Sequence, residues 1–199
     1  MIKRELYMNR IRPFIGGELI KVMTGIRRSG KSVMLELIKE ELAEAGVAPS
    51  QMISINFEDM RYSHLQTATA LHDEIIKRAE GIEGKAYLFF DEIQEVEGWE
   101  KCVNSLRVAL DCDIYITGSN AKLLSGELAT YIGGRYVEFV IYPFSFAEFL
   151  ELYHTIAPSD SIQQCFQKYL LAGGMPYLAN LRYEEEPSRQ YLTDLFNSV

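Results

Sequence analysis

The chain has 199 residues, of which 48% are hydrophobic and 24% are charged, so it can build a sizeable core and a wholly disordered protein is excluded. Its formal net charge of −8 excludes indiscriminate binding of nucleic acid or anionic membrane by the whole surface, although a local basic patch is compatible with it. Three cysteines without metal-ligand spacing, and no apolar run near roughly 18 residues, lead us to expect a cytoplasmic protein without a membrane partner.

Apolar runs and helical patterns alternate along the first 143 residues. Strand patterns cover residues 19–25, 52–58, 86–92, 113–119 and 135–144, the last broken by Pro143. Helical patterns separate them at residues 31–46, 70–81, 99–110 and 121–132. This alternation predicts an α/β fold, namely a three-layer core with a mainly parallel five-stranded sheet and helices on both faces.

The pattern changes after Pro143. Three helical patterns follow at residues 145–154, 161–174 and 187–199, with no strand between them. We therefore expect a core at residues 1–143 and a small helical appendage, or lid, at residues 144–199. The last pattern reaches Val199 without a cap, glycine or proline, so we expect the chain to be part of a longer protein.

The segment GIRRSGKS, from Gly25 to Ser32, matches the pattern G-x-x-x-x-G-K-[ST] between a predicted strand and a predicted helix. In such a P-loop the two glycines let backbone N–H groups face a phosphate chain, the lysine reaches the β- and γ-phosphates, and the serine hydroxyl meets Mg²⁺. The alternative is a plain glycine turn before a helix. The predicted nucleotide-binding residues are Gly25, Ile26, Arg27, Arg28, Ser29, Gly30, Lys31, Ser32 and Val33, with solvated side chains favoured for Arg27 and Arg28 over contacts with phosphate or an adjacent subunit.

Two adjacent carboxylates, Asp91 and Glu92, end an apolar strand pattern, which is costly unless cations lie close. Lys31 and Mg²⁺ are the expected cations, with Asp91 and Ser32 as the Mg²⁺ ligands. Successive strand side chains point to opposite faces, so we expect Glu92 to have a separate role, polarising the water that attacks the γ-phosphate. The pair therefore favours hydrolysis over transfer of phosphate to a small molecule. The alternative is that the carboxylates open a loop or cap a helix.

Small polar residues follow the fourth strand pattern in the segment TGSN. In a parallel sheet they face the same crevice as the P-loop. We predict that Asn120, in preference to Ser119, senses the γ-phosphate or holds the attacking water. The alternative is a polar turn in which Ser119 caps a helix. Asn56, at the end of the second strand pattern, is predicted to contact Glu92 and modulate it.

Arg135 follows two glycines directly before the fifth strand pattern. A cation brought to the γ-phosphate accelerates hydrolysis by about 10³–10⁵-fold, so Arg135 is a candidate catalytic residue. It would act either within its own chain or on a neighbouring subunit. The alternative is an arginine paired with a surface carboxylate.

The segments GIRRSGKS, INFED, LFFDEIQEVEGWE, TGSNAKLLSGELA, YPFSFAEFL and YLLAGGMPYL together resemble a family of bacterial and archaeal predicted AAA+-type ATPases. The resemblance covers nearly the whole chain. It implies ATP as the nucleotide, and it makes Arg135 a more credible functional arginine. Family members are longer and carry a winged-helix-like segment and a C-terminal domain of unknown function. The P-loop, Walker B and sensor residues that the resemblance implies are Lys31, Ser32, Asp91, Glu92 and Asn120.

These features predict a Mg²⁺-dependent ATPase whose conversion of ATP to ADP moves an attached or partner domain, within an oligomer or as a single chain. The alternative is a slowly hydrolysing, nucleotide-gated switch or scaffold in a nucleic-acid-linked or signalling complex. Contact with nucleic acid would be indirect, because the sequence lacks a Lys/Arg stripe.

Overall fold

The computed structural model describes residues 2–118 and 132–197. The described residues form two compact units. One is drawn from Glu5–Ile26 and Lys31–Ile141, and the other from Met1–Arg4, Arg27–Gly30 and Tyr142–Val199. We call them the larger and the smaller unit. The predicted domain boundary between residues 143 and 144 stays a prediction.

The larger unit is built on a five-stranded sheet with the order β2-β3-β4-β1-β5, in which every pairing is parallel. The central strands β1, β3 and β4 are buried almost throughout, as expected for apolar strands covered on both faces. The predicted α/β fold is therefore confirmed, and the sheet is wholly parallel. The strands are β1 (Ile20–Thr24), β2 (Met52–Asn56), β3 (Ala86–Asp91), β4 (Cys112–Thr117) and β5 (Tyr136–Val140).

Helices cover both faces of this sheet because strand side chains alternate between two hydrophobic clusters. Leu88 and Phe90 pack in the cluster that includes residues of α3 and α4, whereas Phe89 and Tyr115 pack in the cluster that includes residues of α1 and α2. The predicted helix at residues 121–132 lies, except for Ile132, outside the described residues. The helices of this unit that the structure describes are α1 (Glu5–Ile11), α2 (Lys31–Glu44), α3 (Ala68–Ala79) and α4 (Trp99–Ala109).

A buried ion pair between Lys21 and Asp113 joins the amino ends of β1 and β4. Asp113 Oδ2 also accepts hydrogen bonds from the backbone N–H of Gly16 at 2.6 Å and from the Tyr115 hydroxyl at 2.7 Å. The Lys21 ammonium donates a further bond to the carbonyl of Gly17 at 3.1 Å. Both buried charges are thus paired and hydrogen-bonded, which is the condition for burying them. This network fixes the sheet edge opposite to the P-loop.

The smaller unit contains α5 (Phe146–Tyr153), α6 (Ile162–Ala172) and α7 (Glu185–Asn197), which confirms the predicted helical C-terminal segment. Its core centres on Phe149, which is fully buried and makes an edge contact with Tyr183 at a centroid distance of 4.9 Å. Ser145 and Glu148 form a capping box that starts α5. The fifth strand ends at Val140, short of its predicted end at residue 144, because Pro143 has no N–H to donate to a ladder.

Within the parts of the chain that the structure describes, none of the helices combines the length and apolar character needed to cross a membrane.

Candidate functional site

The carboxyl edge of the parallel sheet gathers polar side chains from three neighbouring strands. Asn56, Asp91 and Thr117 are the last residues of β2, β3 and β4, and β1 ends at Thr24, directly before the P-loop. All strands run in the same direction, so these ends lie along one edge. The sequence predicts this arrangement for a parallel sheet.

The P-loop begins at Gly25 with φ 141° and reaches Gly30 with φ 103°, backbone conformations that residues with a β-carbon rarely adopt. Lys31 opens α2, and its side chain is 5% exposed. Its ammonium lies 3.4 Å from the carbonyl oxygens of both Gly25 and Ile26. The lysine is thus held beneath the loop, with its charge at the edge of the sheet.

Asp91 is buried and accepts hydrogen bonds at both carboxylate oxygens. The Thr117 hydroxyl donates to Oδ1, and the Asn56 amide donates to Oδ2 at 3.2 Å. Burial raises the pKa of Asp91 above its ordinary value, while hydrogen bonds from Thr117 and from the Ser32 hydroxyl act in the opposite direction. Ser32 is therefore close enough to Asp91 to influence its pKa, as expected for the two predicted Mg²⁺ ligands. A hydroxyl and a carboxylate are hard oxygen donors and fit this ion.

Glu92 leaves the strand in the left-handed conformation, with φ 54° and ψ 49°. Its backbone N–H donates to Thr117 Oγ1 at 3.0 Å, which holds this uncommon geometry. Its Oε1 lies 3.6 Å from the Lys31 ammonium, and its Oε2 accepts from the Gln94 amide at 2.6 Å. The carboxylates of Asp91 and Glu92 therefore have different hydrogen-bond partners, although the Lys31 charge acts on both.

Asn56 has a different partner from the predicted one. Its amide donates to Asp91, where we expected a contact with Glu92. The β2–β3 register explains the difference, because it places Asn56 directly beside Asp91.

Residues 27–30 of the P-loop belong to the smaller unit. Ser29 is fully buried, and its carbonyl accepts a hydrogen bond from Arg4 at 3.0 Å. Arg27 and Arg28 are exposed. The guanidinium of Arg28 nevertheless lies 5.8 Å from the ring centroid of Tyr191, so this arginine has a partner on α7.

Arg135 lies at the amino edge of the sheet, directly before β5. Its carbonyl accepts from the N–H of Ile20 at 2.9 Å, and its guanidinium donates to the side chain of Asn104 at 2.8 Å. The whole length of β1, about 13 Å, separates this position from the P-loop. The structure therefore does not bring Arg135 to Lys31, Asp91 and Glu92 of its own chain; among the described residues its guanidinium donates to the Asn104 side chain. Asn120 and Ser119 lie outside the described residues.

Sequence reasoning assigned no role to three residues that shape the site. Thr117 joins Asp91 to the backbone of Glu92, and Gln94 holds the Glu92 carboxylate. For Thr117, the sequence did offer a signal, namely its position at the end of a predicted strand. Arg4 carries no local signal, because its partners Ser29 and Glu148 are 25 and 144 residues away in the sequence.

A wholly parallel sheet with a P-loop at its carboxyl edge defines a P-loop NTPase-like fold. The chain belongs to the AAA domain family, which matches residues 18–150. Its N-terminal and central part is therefore an AAA-type ATPase domain.

Two curated relatives match most or all of the chain. An uncharacterised protein of Haemophilus influenzae is 41% identical over 200 residues, which cover 100% of this chain and 49% of the relative. An uncharacterised protein of Methanocaldococcus jannaschii is 34% identical over 189 residues, covering 89% of this chain and 41% of the relative. The chain thus spans about half the length of these relatives or less.

Solved structures share the fold at low sequence identity. AMPPCP-bound DnaA from Aquifex aeolicus has a TM-score of 0.51 at 15% identity, covering 97% of this chain and 67% of that one. The Aeropyrum pernix ORC1 protein, solved in complex with DNA, has a TM-score of 0.53 at 16% identity, covering 96% and 66%. The Escherichia coli HORMA:CdnC:Trip13 complex contains a chain with a TM-score of 0.55 at 13% identity, covering 85% and 64%.

Proposed function

We propose that the chain binds ATP with Mg²⁺, hydrolyses it, and passes the resulting conformational change to an attached or partner domain. One observation carries the proposal. Ser32 lies close enough to Asp91 to lower its pKa, and the ammonium of Lys31 lies 3.6 Å from Oε1 of Glu92, so the four residues proposed for metal binding and acid–base chemistry lie near one another at one edge of the sheet.

Each residue of the site has a separate role in the proposed reaction. Mg²⁺, when bound with ATP, supplies positive charge against the phosphate oxygens. Ser32 and Asp91 would hold the metal, and Lys31 would place its charge on the β- and γ-phosphates. Glu92 would accept a proton from the attacking water, since its carboxylate is partly exposed and is adjacent to Lys31.

Two further predicted roles remain part of the proposal. Asn120 would sense the γ-phosphate. Arg135 would act on the nucleotide of a neighbouring subunit, because its position at the amino edge removes it from the site of its own chain. An oligomer then follows as a condition for full activity.

ATP binding can be tested by calorimetric titration with and without Mg²⁺. Lys31→Ala is expected to weaken ATP binding about tenfold or more, because charge-assisted hydrogen bonds contribute about 1.5–3 kcal/mol. Lys39→Ala is the matched control, since Lys39 lies on the same helix and pairs with Glu36. Wild-type chain that fails to bind ATP, or equal affinities for all three proteins, would contradict the proposal.

A nucleotide-gated switch is the second candidate, favoured by the bonds that occupy Glu92. Both carboxylate oxygens have partners, Lys31 at one and Gln94 at the other, and a carboxylate so engaged is a poorer base for water. Gln94→Ala separates the two functions. Faster steady-state phosphate release in this variant supports the switch, whereas unchanged or slower release supports the working ATPase.

The domain that ATP hydrolysis would move is also part of the proposal. Because the chain spans half or less of its relatives, the moved domain is proposed to be a further part of the same polypeptide or a partner protein. Nucleic acid would be reached only through that domain, since the chain carries a net charge of −8.

A further inference from the structure

Arg4 is buried in the smaller unit, with 2% of its surface exposed and a left-handed backbone at φ 47°. A non-glycine residue in this conformation carries strain that its surroundings must offset. A buried guanidinium, moreover, must be fully paired to be tolerated. Backbone strain and the burial of a charge both cost free energy. The contacts of the Arg4 side chain must therefore supply the stabilisation that keeps the residue in this position.

The Arg4 side chain joins the P-loop to the start of the C-terminal helices. Its Nη1 donates to the carbonyl of Ser29 at 3.0 Å, and its Nη2 donates to the carbonyl of Tyr142 at 2.8 Å. Its Nε donates to Glu148 Oε1 at 2.9 Å. One rigid guanidinium therefore holds two backbone segments and one helix terminus.

Glu148 is fixed on its other side by the cap of α5. Its Oε2 accepts from the backbone N–H of Ser145 at 2.8 Å and from the Ser145 hydroxyl at 3.0 Å. The carboxylate is thus shared between the first turn of α5 and Arg4. A displacement of the guanidinium would therefore disturb the hydrogen bonds of this turn.

The P-loop side of the contact is equally close. A β-carbon built at Gly30 would lie 3.3 Å from Arg4 Nη1, so the guanidinium also lies against the backbone of that glycine. Ser29 and Gly30 directly precede Lys31 and Ser32 in the chain. Arg4 therefore borders the part of the loop that sets the start of α2.

We propose that Arg4 is a positioning residue for the P-loop and that it transmits the nucleotide state of the loop to α5 through Glu148. The inference rests on the proposed function, because it presumes that ATP binds to the loop. A lysine cannot replace the arginine, since a single ammonium lacks the planar fork that reaches Ser29, Tyr142 and Glu148 together.

The test measures ATP affinity and thermal stability for the wild type, Arg4→Met, Arg4→Lys and Glu148→Gln. Arg12→Met is the matched control, because Arg12 also pairs with carboxylates, Glu5 and Glu41, on the N-terminal part of the larger unit. We expect Arg4→Met to weaken ATP binding about tenfold, the order seen when supporting residues are removed from a site. Arg4→Lys should recover only part of the loss, and Arg12→Met should bind as the wild type does.

Glu148→Gln supplies the readout that a purely structural role would not give. The described bonds of Glu148 go to Arg4 and Ser145, yet this variant should weaken ATP binding, and its effect should be smaller when Arg4 is already replaced. Full ATP affinity in folded Arg4→Met, or additive effects in the double variant, would overturn the inference. Wild-type chain that does not bind ATP would overturn the proposed function itself.

Hydrogen exchange of the wild-type chain tests the inference even if the variants unfold. ATP should slow exchange in peptides covering residues 27–30 and also in peptides covering residues 142–148. Slowing confined to the P-loop peptides would contradict transmission to α5.

Discussion

Thr117 determines how the two acidic residues of the site are held. Its hydroxyl donates to Asp91 and accepts the backbone N–H of Glu92, so one side chain fixes a carboxylate on the strand and the strained backbone directly after it. A hydroxyl is the smallest group that can donate and accept at the same time. The geometry of the Asp91–Glu92 pair therefore depends on a residue of the neighbouring strand.

Replacing Thr117 with valine keeps the shape of the side chain and removes both hydrogen bonds. We expect Mg²⁺-dependent phosphate release to fall about 10–100-fold, the usual effect of removing a partner that orients a site residue. ATP affinity should change less, because Lys31 and the P-loop are untouched. Thr117→Ser, which retains the hydroxyl, should keep most of the activity. Full turnover by Thr117→Val would show that this orientation is unimportant.

Glu148 gives the smaller unit a predictable response to acid. Burial alone would raise the pKa of this carboxyl, but hydrogen bonds from Arg4 and Ser145 outweigh burial and lower the pKa below its ordinary value of 4.5. The folded state therefore binds this proton less tightly than the unfolded chain does. The stabilisation is complete above the ordinary pKa and is lost as the pH falls through the lower, folded-state pKa.

Glu148→Gln is expected to lower the free energy of unfolding by about 2 kcal/mol near pH 7, because hydrogen bonds to a charged group are lost. The difference from the wild type should shrink as the pH falls below 4.5 and the wild-type carboxyl becomes protonated. This difference in the free energy of unfolding can be measured by urea unfolding, monitored by circular dichroism at a series of pH values. A difference that is constant or grows in acid would contradict the assigned pairing.

Within the smaller unit, the segment before α5 and the segment after α6 meet in a close backbone contact. The N–H of Phe144 donates to the carbonyl of Gly174 at 2.7 Å, and a β-carbon at Gly174 would lie 2.0 Å from the carbonyl oxygen of Phe144. Both groups are backbone, so neither can move aside as a flexible side chain could. Only glycine fits at position 174, two residues after the end of α6.

Gly174→Ala should therefore destabilise the smaller unit by about 3 kcal/mol or more, the upper range for overpacking a closed site. Gly46→Ala is the control, since Gly46 has φ +92° but no atom within 4 Å of an added β-carbon. Its expected cost is about 1–2 kcal/mol, from backbone strain alone. Equal losses in urea unfolding for the two variants would argue against the contact.

Elements with strong local patterns could be predicted from the sequence, and contacts between distant segments could not. Few residue types suit a buried strand, an amphipathic helix or a P-loop. The positions of the apolar strands, helix α2 and the P-loop could therefore be predicted directly from the sequence. Helix α1 has only seven residues, with buried Tyr7, Met8 and Ile11, too few to give a clear period.

Two features of the site, the partner of Asn56 and the edge at which Arg135 lies, could not be predicted from the sequence. Asn56 was correctly expected at the carboxyl edge, but its partner depends on strand register, which the sequence does not reveal. Arg135 was a candidate for the γ-phosphate of its own chain or of a neighbouring subunit, and its place before β5 puts it at the amino edge, away from the P-loop of its own chain, because all five strands run in the same direction. The direction of the strands, not the residue type, decided which edge Arg135 occupies.

Over the whole chain, both units contain residues of the P-loop segment: residues 25–26 and 31–33 belong to the larger unit and residues 27–30 to the smaller one. The length of the relatives indicates how much further polypeptide such a domain accompanies in those proteins.

The central claim, that this site hydrolyses ATP, is tested most directly by Mg²⁺-dependent phosphate release, measured over about a hundredfold range of chain concentration, where association follows mass action. Glu92→Gln is the control, because it keeps the size of the side chain and removes the base. We expect release that depends on Mg²⁺ and rises per molecule with concentration, while Glu92→Gln binds ATP without turning it over. Equal release by the wild type and Glu92→Gln, with ATP bound by both, would contradict it.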